Sequence, residues 1–239
     1  MARGRLGEGL TFGGRVPAAV GGLIAATAVA SIVGVVGERN GLPLLRLGLL
    51  EPGAVWRGQA WRLVTWALFE TEPLSLLFGG LVLYWFGRDL CEAWGEGRFL
   101  ARYLGAPALA GLVTSLVALA WPALLGARWA GLWPAVDAMV VAWALLHPHR
   151  QILLFFTVPV SGKALVWITV GGTLLFAVFS GVGAYLPHLL AEGAMALVAS
   201  GRGPAQWLRR LRRSRPGRRG PFKVIHADRD PDRERKWMN

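Results

Sequence analysis

The chain of 239 residues has few acidic residues, few charges of any kind and a single cysteine. Only 14 residues are Asp or Glu, against 26 Lys or Arg, and charged residues make up 17% of the chain. The lone Cys91 excludes an intrachain disulfide and any metal site built from several cysteines. Apolar residues, by contrast, make up 54% of a chain whose net charge is +12, a combination that is unusual for a soluble domain. The composition therefore indicates a membrane protein.

The positive charge is concentrated at the C-terminus. Residues 202–239 contain 13 Lys or Arg and 4 Asp or Glu, a net charge of +9, whereas residues 1–201 carry only +3. This division predicts a cytoplasmic head at 1–15, a membrane domain at 16–201 and a basic cytoplasmic tail at 202–239 that is partly disordered. Trp207 and leucines among the tail's arginines favour a surface helix on anionic lipid over a nucleic-acid site.

Long runs without charge predict six transmembrane helices. A hydrocarbon core of about 30 Å needs about 20 residues at about 1.5 Å each. The run at 164–187 is expected to break at Ser180 and Gly181. The Lys and Arg bias of the short flanks predicts that both termini are cytoplasmic, and we expect the bacterial plasma membrane, the inner membrane, as the location. The predicted fold is an all-α polytopic membrane protein with apolar runs at 16–36, 73–87, 103–127, 129–146, 164–187 and 186–200.

Five residues around the second run form a recognisable set. Trp61 and Arg62 precede the run, Gly87 stands at its end, and Glu92 and Gly95 lie in the charged turn that follows. With the order and spacing of the spans, this set resembles the rhomboid family of intramembrane serine proteases, over roughly residues 15–201. The resemblance implies a rhomboid-like bundle of six helices.

The same resemblance implies that the proteolytic nucleophile is missing. Active rhomboids carry a Gly-x-Ser-Gly motif at the start of the fourth helix, and here the aligned residues are Gly131, Leu132, Trp133 and Pro134. The position of the nucleophile is therefore Trp133, whose indole cannot form an acyl intermediate. Pro134 suits the first turn of a helix, where its missing N–H would have no intrahelical partner.

The resemblance also implies that the oxyanion site is lost. Glu70, Ser75 and Gly79 stand where active members place two histidines and an asparagine. An ionised Glu70 would repel the oxyanion that such donors stabilise. His188 stands at the position of the family's catalytic histidine, but a base without a nucleophile performs no acyl transfer. No catalytic residue is predicted, and the resemblance implies an inactive member similar to the derlins.

Three ionisable residues interrupt the fourth and sixth runs: Asp137, His188 and Glu192. His188 and Glu192 are four residues apart and share one helix face, and Asp137 lies early in the facing helix if the rhomboid packing holds. Ionisable groups inside a membrane normally point inward and are paired. We expect a satisfied hydrogen-bonded cluster below a buried Trp133, with a proton or ion path as the alternative. No metal and no cofactor are predicted.

The sequence thus predicts a membrane pseudoprotease that binds transmembrane segments of client proteins without cleaving them. A small transporter or proton path through Asp137, His188 and Glu192 is one alternative. An intramembrane serine protease with its nucleophile relocated to Ser180 is another. The predicted partners are the lipid bilayer, transmembrane client proteins and anionic lipid at the tail, and nucleic acid is not among them.

Overall fold

The computed structural model describes residues 16–154 and 157–201. The predicted head at 1–15 and the predicted lipid-binding tail at 202–239 lie outside the described residues. Every described residue belongs to one compact unit.

Within the described residues, five helices are long and apolar enough to cross a membrane. They are α1 (Ala18–Arg39), α5 (Pro73–Trp94), α6 (Glu96–Ala120), α8 (Gly162–Ser180) and α9 (Val182–Ala199). Between them lie shorter elements: the helices α2 (Leu44–Gly48), α3 (Pro52–Trp56), α4 (Arg62–Thr65) and α7 (Trp133–Leu146), 3-10 turns at Trp66–Leu68 and Pro122–Leu124, and the strands β1 (Gln151–Leu154) and β2 (Val158–Ser161).

The sequence predicts six transmembrane helices, and the structure has five of sufficient length within the described residues because α7 is too short. It has 14 residues, which at about 1.5 Å each extend about 21 Å, short of a hydrocarbon core of about 30 Å. It packs against α5, α6, α8 and α9, and ten of its residues are buried. Because α7 lies among other helices, its apolar sequence serves protein packing. Hydropathy does not distinguish that use from contact with lipid.

The turn after α7 departs from an all-α fold. Strands β1 and β2 pair antiparallel, with Gln151 opposite Ser161 and Leu154 opposite Val158. Beyond the hairpin, α8 begins with Ser161 as its cap, since the Ser161 hydroxyl accepts a hydrogen bond from the amide of Ala164 at 3.3 Å. The expected break after Ser180 is confirmed, because Gly181 adopts a φ of +93° and separates α8 from α9.

Helices α1, α5 and α6 meet near the ends where α5 gives way to α6. Gly87 of α5 lies so close to α1 and α6 that a β-carbon there would stand 3.1 Å from a methyl of Val20 and 3.2 Å from the ring of Phe99. Gly95 separates α5 from α6, and Glu92 just before it forms an exposed ion pair with Arg88 at 3.3 Å. Across the junction, a carboxylate oxygen of Glu96 accepts a hydrogen bond from the amide of Ala19, in the first turn of α1, at 2.9 Å.

The segment between α1 and α5 is held by side chains from the α4 region. Arg62 is buried, and its Nη1 donates to the carbonyl oxygens of Arg46 at 2.6 Å and Leu49 at 2.7 Å. The Trp61 indole donates to the carbonyl of Leu47 at 3.1 Å, and the Thr65 hydroxyl donates to that of Gly48 at 2.9 Å. Four consecutive carbonyls at the end of α2 are thereby satisfied, which explains why a tryptophan and an arginine stand side by side here.

Candidate functional site

The start of α7 is fixed to α5 by its first residue. Trp133 is partly buried against the main core, and its indole Nε1 donates a hydrogen bond to the hydroxyl of Ser75 at 2.9 Å. Pro134 lies in the first turn of α7, as its sequence position predicts, and is buried. The indole here is a packing group and a hydrogen-bond donor, and it offers no nucleophile.

Gly79 allows α5 and α7 to approach closely. A β-carbon at this position would lie 2.2 Å from Cδ1 of Leu132, the residue before α7, which is a distance that no pair of carbons tolerates. Gly79 and Leu132 are both buried. Gly79 therefore serves helix packing.

Glu70 lies in the connection before α5 and is 8% exposed. Its own amide donates to the hydroxyl of Ser31 on α1 at 2.8 Å. Its carboxylate Oε1 accepts from the amide of Thr71 at 2.9 Å and lies 3.4 Å from that of Glu72. Of the three residues expected at a former oxyanion site, Ser75 alone bonds to Trp133, while Glu70 ties the entry of α5 to α1.

The structure brings Asp137 and His188 together. His188 Nδ1 lies 3.4 Å from Asp137 Oδ2, and the two side chains are 19% and 21% exposed. The ring of Tyr185 contacts that of His188 with centroids 5.2 Å apart, and Phe176 of α8 stacks on Tyr185 at 5.8 Å. This pair joins α7 to α9 and is lined on one side by aromatic rings.

Glu192 does not join that pair as expected. It is 2% exposed, and its Oε1 accepts a hydrogen bond from the hydroxyl of Thr173 on α8 at 2.6 Å. Its other carboxylate oxygen has no hydrogen-bond partner within the described residues. The helix spacing correctly places His188 and Glu192 one turn apart, but the neighbouring helix α8 provides the partner of Glu192.

Partial exposure distinguishes four of these residues. Trp133 and Asp137 are the only residues of α7 before its last two, Leu145 and Leu146, that are not buried. Ser75 and His188, their respective partners, are also partly exposed. We call Ser75, Trp133, Asp137 and His188 the α7 polar face. Trp133 and Asp137 lie one turn apart on an otherwise buried helix, and each has a partly exposed partner on a neighbouring helix, α5 or α9.

The carboxylate of Asp89, which the sequence did not single out, lies at the other end of α7. Asp89 Oδ2 accepts hydrogen bonds from the Trp143 indole at 2.8 Å and from Arg150 Nη1 at 2.7 Å. Trp143 is 1% exposed, and the ring of His147 lies over it with centroids 5.2 Å apart. Asp89 stands among the charges of the predicted cytoplasmic turn, where nothing in the sequence marks it as the partner of a buried tryptophan.

Serine chemistry and metal chemistry have no assembled site in the described part of the chain. Ser180 is exposed at the end of α8, and no hydrogen bond joins it to His188 within residues 16–154 and 157–201. No group of three or more His, Cys, Asp or Glu among those residues is placed to hold a metal ion. Cys91 is a buried free thiol.

Comparison with known families identifies a different relationship from the one expected. Residues 21–201 match the family described as "Eukaryotic integral membrane protein (DUF1751)". No curated protein matches the chain. The family match overturns the resemblance to rhomboid proteases. The former active-site role that this resemblance implied for Trp133, Glu70, Ser75, Gly79 and His188 therefore loses its support. The family's description also contradicts the expected location in the bacterial plasma membrane. It supports the prediction that the chain is an integral membrane protein.

Proposed function

We propose that this chain, which belongs to the family of eukaryotic integral membrane proteins matched over residues 21–201, binds transmembrane segments of client proteins without cleaving them. The observation that carries the proposal is the partial exposure of the α7 polar face. A polar group that is accessible at membrane depth is costly in contact with lipid, and it is normally paired or turned toward protein. A second helix that offered hydrogen-bonding side chains would relieve this cost.

The packing of the helices supports the same proposal. Helix α5 packs against α1, α6 and α7, and α8 packs against α7, α9 and β2. Within the described residues α5 and α8 have no extensive contact with each other. Trp133 supplies a rigid aromatic surface beside the Asp137–His188 pair. An indole beside a hydrogen-bonding pair suits a helix with one small or polar side chain among apolar ones.

We further propose that α7 counts as a sixth membrane-embedded helix. Its burial among α5, α6, α8 and α9 supports this, because a short helix surrounded by other helices need not span the full core to remain out of water. Its polar face would then lie inside the bilayer. In this arrangement, client segments reach the α7 polar face laterally from the lipid.

Photocrosslinking in intact membranes tests the proposal. A photoreactive phenylalanine derivative replaces Trp133, and a matched variant carries it at Val178 of α8, whose side chain is 77% exposed. We expect position 133 to capture single-span proteins through their transmembrane segments, and synthetic peptides of those segments to compete for capture. Position 178 should capture lipid.

The Asp137→Asn variant with the crosslinker at 133 separates recognition from mere proximity. It keeps the shape of the side chain but removes the charge opposite His188, so capture of clients should fall while the fold is preserved. Capture of lipid alone at position 133, or equal capture of the same proteins at 133 and 178, would refute the proposed function.

A further inference from the structure

A groove runs between α1 and α5, and no residue of the α7 polar face lines it. It has a volume of about 810 Å³, and its walls are mostly apolar. Ile24, Ile32 and Val36 of α1 line one wall, and Leu76 and Leu77 of α5 line the other. Ile32, Val36 and Leu77 are each more than half exposed. The groove is therefore open on its lipid-facing side.

Charged residues gather at one end of this groove, where the antiparallel helices α1 and α5 end and begin. Arg39 closes α1, and Glu70 and Glu72 precede α5; all three line the groove. None of them forms an ion pair with another residue in the described part of the chain. One cation and two anions at the mouth of an apolar groove complement a headgroup that carries both a phosphate and an ammonium group.

Two buried hydroxyls deeper in the groove have no partner among the described residues. They are the Thr27 hydroxyl, on a residue 3% exposed, and the phenol of Tyr103, which is fully buried. The Ser115 hydroxyl, by contrast, donates to the carbonyl oxygen of Gly111 one turn earlier at 2.8 Å, and such a carbonyl is the usual acceptor of a helical hydroxyl. Thr27 makes no such bond. A ligand in the groove that carries a carbonyl oxygen would supply the acceptor that the Thr27 hydroxyl lacks.

The length of the groove suits the acyl chain of a lipid. From Ile24 to Arg39 the groove follows α1 for about 22 Å, somewhat more than one leaflet of a hydrocarbon core of about 30 Å. Thr27 lies one turn, about 6 Å, from Ser31, which holds Glu70. That separation suits an acyl ester carbonyl below a headgroup.

We propose that the groove between α1 and α5 binds a diacyl phospholipid whose headgroup carries a primary ammonium, of the ethanolamine type. Arg39 binds the phosphate, and Glu70 and Glu72 accept hydrogen bonds from the ammonium, which has three donors. The ester carbonyl accepts from Thr27, and one acyl chain lies along the apolar walls. A choline headgroup has the same charges but no N–H donor, so the site distinguishes the two.

Lipid titration of the full-length protein tests this inference. The delipidated protein in detergent is titrated with phosphatidylethanolamine or phosphatidylcholine of identical acyl chains, and bound lipid is counted by native mass spectrometry. We expect the ethanolamine lipid to bind roughly tenfold more tightly, the difference that one charge-assisted hydrogen bond makes. Equal affinity for the two lipids in the unmodified protein would refute the assignment.

Variants locate the binding. Ile32→Trp fills the groove and should weaken both lipids about tenfold, the loss that about 1.4 kcal/mol represents. Val33→Trp is its matched control, because Val33 is 51% exposed on the same helix and does not line the groove. Glu70→Gln keeps an acceptor for the neighbouring amides but removes one of the two carboxylates, so the preference for ethanolamine should fall. If Ile32→Trp and Val33→Trp behave alike, the lipid binds elsewhere, and a photocrosslinker at Ile32 that captures protein helices instead of lipid would equally overturn the proposal.

Discussion

The indole Nε1 of Trp133 and the hydroxyl of Ser75 are joined by a hydrogen bond of 2.9 Å between the first residue of α7 and the first turn of α5. The partners are 58 residues apart in the chain. Both side chains carry a polar group among apolar neighbours of the same helix. The hydrogen bond pairs the two polar groups, which lipid could not do. The bond therefore sets the position of α7 against α5 at the end where the α7 polar face is exposed.

A double-mutant cycle measures this bond. Trp133→Phe removes the donor but keeps an aromatic ring, and Ser75→Ala removes the acceptor. We expect a coupling energy of about 1 kcal/mol in the free energy of unfolding, the usual net value of an intramolecular hydrogen bond. Unfolding in detergent, followed by circular dichroism, supplies the four stabilities. Additive single effects would mean that the two groups do not interact.

Gly79 should tolerate no side chain. The Gly79→Ala variant places a β-carbon 2.2 Å from Leu132, so α5 and α7 must separate and the protein should lose about 1–3 kcal/mol. Gly80→Ala is the matched control, because the nearest neighbour there, Ile24, would be at 3.7 Å, an ordinary contact. Thermal unfolding of the two variants should differ clearly; equal melting temperatures would contradict the close approach of the helices.

Asp89 should stabilise the protein because its carboxylate accepts the hydrogen bond of the Trp143 indole. Asp89→Ala leaves the buried N–H of Trp143 without its acceptor, a loss of about 1–3 kcal/mol. Asp89→Asn keeps an acceptor oxygen and should lose less, although the ion pair with Arg150 is gone. Chemical unfolding of both variants gives the comparison, and an asparagine variant as unstable as the alanine one would assign the effect to Arg150 instead.

The stability of the connecting region should depend on acid pH through Glu51. Hydrogen bonding from Arg128, with a further contribution from Arg57, holds the pKa of Glu51 below its ordinary value of 4.5. A group whose folded pKa is lowered contributes stability above its unfolded pKa, and that contribution is lost as the pH falls through the folded value. The melting temperature of the native protein should therefore approach that of Glu51→Gln below about pH 4.5. A difference that stays constant from pH 7 to pH 3 would argue against the ion pairs.

The protein should not react as a serine hydrolase. A fluorescent phosphonate reacts with serines that an adjacent base activates, and His188 lies beside Asp137 with no hydrogen bond to a serine in the described part of the chain. We expect no labelling of the purified protein. Labelling that disappears in Ser180→Ala but persists in Ser161→Ala would instead identify Ser180 as a nucleophile.

Much of the helical layout could be predicted from the sequence, because the length of a run without charged residues and the position of turn residues are local properties. The break at Gly181 and the first-turn position of Pro134 follow from backbone geometry alone. The role of α7 could not be predicted in this way. An apolar residue that faces lipid and one that faces protein look alike, so hydropathy counted α7 as a full span.

The partners of the polar residues were harder to predict than the helices. Asp137 and His188 meet as expected, but Glu192 bonds to Thr173 and Asp89 bonds to Trp143. These pairings depend on how helices rotate about their axes, and a single sequence does not define that rotation. The rhomboid resemblance failed for a related reason: its residues are a sparse set, and the family match over residues 21–201 weighs the whole domain.

The four carbonyls of Arg46 to Leu49, each bound by a side chain from residues 61–65, have a consequence for local opening. Separate opening of either part is costly, because releasing α2 leaves the buried guanidinium of Arg62 without its acceptors and releasing α4 leaves the carbonyls without their donors. The amide protons of residues 45–65 should therefore exchange with solvent as one cooperative unit, with a shared free energy of opening. The surface connection of this membrane protein would then behave as a small folded body, and its motion would be all-or-none.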